Sequence, residues 1–125
     1  YLYRGWIYQQ LGNTMNTEGD FRKAIETDSI GTPSAATFIA QHFLHLDKQA
    51  LESLNKSLQE DTSAINYFYA ACFYAIKNDK PMAMRQIEIA VEKGYNSWST
   101  LRDFPFLKNM HGYKPYDDFI LARIK

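Results

Sequence analysis

Apolar residues recur along this chain three and four positions apart, the spacing that gathers them on one side of an α-helix. Tyr1, Gly5, Tyr8 and Leu11 follow it and predict a first helix, which Gly12 and Asn13 end by accepting a left-handed backbone. Phe21 and Ile25 share the stripe of a second helix over about residues 15–28, weakened by Gly19 inside it. Thr32 and Pro33 start a third, since Thr caps and Pro suits a first turn. Its stripe is Ala36, Ile39, Ala40, Phe43 and Leu44. Asp47 is placed to cap a fourth helix that buries Ala50, Leu51, Leu54 and Leu58. Ser63 opens a fifth, with Tyr67, Phe68, Ala71, Tyr74 and Ala75, and Asp79 with Pro81 opens a sixth, with Met82, Ala83, Ile87, Ala90 and Val91 inward.

The pattern changes after Tyr95. Asn96 and Ser97 offer a cap to a short helix holding Trp98 and Leu101. Phe104-Pro105 breaks it, because a residue before proline avoids the helical region. Phe106, Leu107 and Met110 form another apolar turn, His111-Gly112 a loop, and Lys114-Pro115 begins a last helix carrying Tyr116, Phe119, Ile120 and Ile124. No alternating run of convincing strand length interrupts the series, so the expected fold class is all-α.

Three of these stretches are copies. FRKAIETDS, starting at Phe21, returns as LNKSLQEDT at Leu54 and as IEIAVEKGY at Ile87, the same interval each time. Large apolar residues recur (Phe21, Leu54, Ile87), then small ones (Ala24, Ser57, Ala90), then aliphatic ones (Ile25, Leu58, Val91). An interval of this size is the mark of a repeat architecture in which one helical unit is stacked on the next.

These residues resemble the tetratricopeptide repeat family, whose pattern sets a small residue and an aromatic three positions later on the first helix of each pair. On the second helix it sets alanine, a large apolar residue and another alanine. Gly5, Tyr8, Phe21, Ala24 and Ser29 supply repeat one; Ala71, Tyr74, Ala83, Ile87, Ala90 and Tyr95 supply repeat three. Ala40, Phe43, Ala50, Leu54, Ser57 and Thr62 supply repeat two, with an expected loop two residues shorter between its helices. The Trp at the start and the Pro at the end of the family's repeat are missing from all three, and Thr17 stands for the first alanine of repeat one's second helix. The tail, with Leu101, Arg102, Pro105, Leu107 and Tyr116, is similar to the segment that closes many bacterial arrays of this family. The resemblance implies a right-handed α–α superhelix of three helix-turn-helix repeats, over about residues 1–31, 32–62 and 63–95, and a helical cap at 96–125, all in one domain.

The resemblance also implies a concave groove lined by the first helix of each repeat. Leu2, Trp6, Gln9 and Gln10 would line it from repeat one, Ser34, Thr37, Gln41 and His45 from repeat two, and Ile65, Phe68, Cys72 and Ile76 from repeat three. Such a surface is neutral, with amides able to donate to and accept from a peptide backbone. Trp6 and Phe68 would then be anchors for a protein or peptide partner. The alternative is that Trp6, Phe68 and Ile76 pack within the chain. The Lys and Arg that clamp a terminal carboxylate in one version of the family are missing from these positions, so an uncharged partner is expected.

Charge and chemistry narrow the classes. Lys plus Arg and Asp plus Glu number 14 each in 125 residues, so no basic excess draws the chain to nucleic acid or an anionic membrane. No apolar run is long enough for a membrane span. No Lys or Arg is interleaved with the aromatics between Ala64 and Ile76, as base stacking would need. His42 and His45, with Asp47 and distant His111, lack the ligand spacing of a zinc site, and no metal or cofactor is expected. Cys72 reads as a small buried thiol. No phosphate-binding loop or nucleophile elbow occurs, so an enzyme is not expected. The expected role is protein–protein interaction. The alternative is a structural cap, oligomerisation or regulatory module of a larger protein, since the chain starts at Tyr1, and Leu2 and Tyr3 would leave an N-terminal edge open to a second copy.

Overall fold

The computed structural model describes residues 18–23 and 35–123, and every regular element among them is helical, with no strand. The expected first helix, and with it Trp6, Gln9 and Gln10, lies outside the described residues, as do most of the second helix and the Thr32-Pro33 start of the third. The chain divides into two compact units, Tyr1–Asp61 and Thr62–Lys125.

In the first unit, residues 18–23 are helical, followed by α1 (Ala35–Phe43) and α2 (Asp47–Glu60). The Phe21 ring stacks on Phe43 at 4.6 Å, beside fully buried Ala40. Helix α1 packs against α2, which buries Ala50, Leu54 and Ser57. Leu51 does not join that face: it is 38% exposed. It lies one position past Ala50, about 100° around the helix, and the buried arc is narrower than the apolar pattern. Asp47 is the first helical residue and not the cap, a position taken by Leu46 without a side-chain hydrogen bond.

The second unit contains α3 (Ala64–Ile76), α4 (Lys80–Glu92), α5 (Trp98–Asp103), a 3-10 turn (Pro105–Met110) and α6 (Lys114–Arg123). Helix α3 is apolar nearly all round and packs against both α4 and the 3-10 turn, as such a helix must. Asp79 caps α4, its carboxylate accepting from Met82 N at 3.4 Å, with Pro81 in the first turn. Ser63 and Ser97 stand in the expected cap positions but make no side-chain capping bond; the Ser97 hydroxyl meets that of Thr100 at 2.7 Å. The chain breaks at Phe104-Pro105 as expected, and Leu101, Leu107 and Tyr116 are buried.

The two hairpins share one turn. His45 N donates to His42 O and Leu46 N to Gln41 O; Asn78 N donates to Ala75 O and Asp79 N to Tyr74 O. His45 (φ 63) and Asn78 (φ 64) hold the same left-handed conformation, at the same interval as the sequence copies. This is the helix-ending motif in which two carbonyls of the last turn are closed by the next two amides. The loop of repeat two is therefore not two residues shorter; both loops have equal length. By this register Phe38, not Ala40, matches Ala71, and Gln41, not Phe43, matches Tyr74. The paired positions Ala50 and Ala83, Leu54 and Ile87, Ser57 and Ala90 are all buried.

Candidate interaction face

In the second unit the candidate face belongs to α3. Phe68 lies flat against Tyr95, with ring centroids 4.8 Å apart and planes 7° apart, and Phe104 packs against it at 5.3 Å. Only 2% of Phe68 is exposed. Of the two expectations for this ring, an open anchor or a ring packed within the chain, the structure places it in the second. Cys72, on the same side of α3 one turn on, is fully buried. Burial pushes its thiol well above the usual range, the reverse of what a nucleophile needs. The cover over Phe68 comes from residues after α4, Tyr95 and Phe104.

That cover has its own polar frame. Asn109 Nδ2 donates to Ala75 O at 3.1 Å, meeting a carbonyl in the last turn of α3. The Tyr116 hydroxyl donates to Leu101 O at 2.5 Å, and His111 Nε2 to Arg102 O at 2.7 Å. These two side chains satisfy carbonyls at the end of α5 that no further helical turn can reach. Burial raises the Tyr116 phenol to about 12, and burial also raises that of Tyr95. At the surface, Arg102 pairs with Asp103 at 2.8 Å, and this bond holds the Asp103 carboxyl below its usual range. Tyr95, Phe104 and Asn109 were not singled out as site residues from the sequence. The capping string around Pro105 was the available signal, but it does not say which helix the segment covers.

The first unit places its candidates differently. Thr37 is 7% exposed, inside the unit's buried set with Phe38, Ile39 and Ala40. Gln41 is half-buried, its Oε1 enclosed with no hydrogen-bond partner. His45 is exposed and lies in the turn after α1, not on the helix. In the register of the shared turn, Thr37 and Gln41 match Ala70 and Tyr74, whereas Phe68 and Cys72 match Ala35 and Ile39. The described candidates therefore do not form one repeated stripe. Near them, His42 Nδ1 approaches Asp47 Oδ1 at 3.6 Å. Among the described residues no three His, Cys, Asp or Glu side chains converge as metal ligands would, and no helix is long and apolar enough to cross a membrane.

Comparison with known proteins finds no match: no family model, no curated protein and no solved structure matches this chain.

Proposed function

We propose that this chain is a helical-repeat module of the tetratricopeptide type that binds a protein or peptide partner along the first-helix side of its hairpins. One observation carries the reading. The hairpins α1–α2 and α3–α4 have the same turn and bury matched positions at the interval of the sequence copies. A unit that keeps its fold from copy to copy while its outer residues vary suits recognition.

The partner is an uncharged or apolar segment. Gln41 is half-buried, and its amide is the uncharged group in α1 suited to backbone-type hydrogen bonding. Selection from a random-peptide display library on the immobilised chain tests this. The expected winners lack net charge, bind with little dependence on salt, and bind more weakly to Gln41→Arg. Failure to enrich any peptide over the bare support, or a steep salt dependence, rejects the reading.

The cover on α3 favours a second reading, in which the second unit closes a longer array and the surface for partners lies before it. A chain that enriches no peptide and sediments as a monomer at every concentration supports this alternative. Self-association through Leu2 and Tyr3 concerns residues outside those described; a dimer in the same sedimentation series favours it.

A further inference from the structure

We draw no further inference here: the strongest candidate, the aromatic surface patch formed by Trp98 of α5 and Phe119 of α6, already holds the guanidinium of the chain's own Arg123, 3.6 Å from the centre of the Phe119 ring and 5.8 Å from that of Trp98, and nothing in the structure shows another cation taking its place.

Discussion

The hairpins α1–α2 and α3–α4 have the same turn but different supports around it. In the second, Asn78 takes the left-handed position and Asp79 caps the following helix. In the first, His45 takes the left-handed position and Leu46 stands where a cap would be, with no side-chain bond. Asn tolerates that backbone because its short polar side chain can bond locally, whereas His pays its full steric cost. The turn therefore depends on closing the α1 and α3 carbonyls with backbone amides, and the residues at its corner adjust its stability without changing its shape. The helices facing the turn differ as well: α1 has Phe38 where α3 has Ala71, both fully buried.

The matched core gives the largest expected effects. Leu54→Ala and Ile87→Ala, at equivalent and fully buried positions, should each cost about 2–5 kcal/mol in urea unfolding. A negligible cost at either one breaks the equivalence. Ala71→Leu should cost about 1–3 kcal/mol by overpacking α3, even though the matching place in α1 holds a phenylalanine. An unchanged melting temperature would mean that α3 has room there, and that the hairpins differ less than their side chains suggest.

Tyr116→Phe probes the C-terminal segment apart from the hairpins. It leaves Leu101 O without its donor and should cost about 1–2 kcal/mol. It also alters the alkaline limb of stability. The phenol titrates near 10 in an unfolded chain and at about 12 in the native one. Its stabilising contribution is therefore whole below pH 10 and fades as pH rises toward 12, because the unfolded state gives up the proton first. Unfolding midpoints measured across that range should fall less steeply for the variant; identical slopes would contradict the buried setting of the hydroxyl. Tyr74 and Tyr95, also raised by burial, leave the variant with a remaining slope.

The smallest effects concern the turns. Asp79→Ala should cost about 1 kcal/mol by thermal unfolding, whereas the first hairpin has no capping bond to lose at Leu46. His45→Gly should gain about 1 kcal/mol by removing left-handed strain, and Asn78→Gly less, since Asn bears that conformation more easily. Equal gains at the two sites would show that the local bonding of Asn contributes nothing.

Much of the helical layout was legible because its causes are local. Apolar spacing marked α1 to α4; Pro81 with Asp79 and the Phe104-Pro105 break marked two boundaries by their backbone chemistry. The interval between copies was equally plain, since equivalent contacts in successive units demand residues of equal size. The register of α1 was not. Ala40 and Phe43 imitate the small-then-aromatic pair of Ala71 and Tyr74, and matching by side-chain size shortened a loop whose length is set by hydrogen bonds. The candidate face was the least legible part. Periodicity says which side of α3 is apolar, but Phe68 and Cys72 would read the same whether that side met a partner or residues thirty positions onward.

By itself the sequence determined the class of element, most of its limits and the interval at which the hairpin recurs, because each depends on neighbours a few residues apart. Only the tertiary structure decided that Leu51 faces outward, that His45 sits in a turn, and that Tyr95 and Phe104 close over Phe68. Those outcomes depend on which distant surfaces exclude water together, and burial of that kind leaves no periodic trace along a chain.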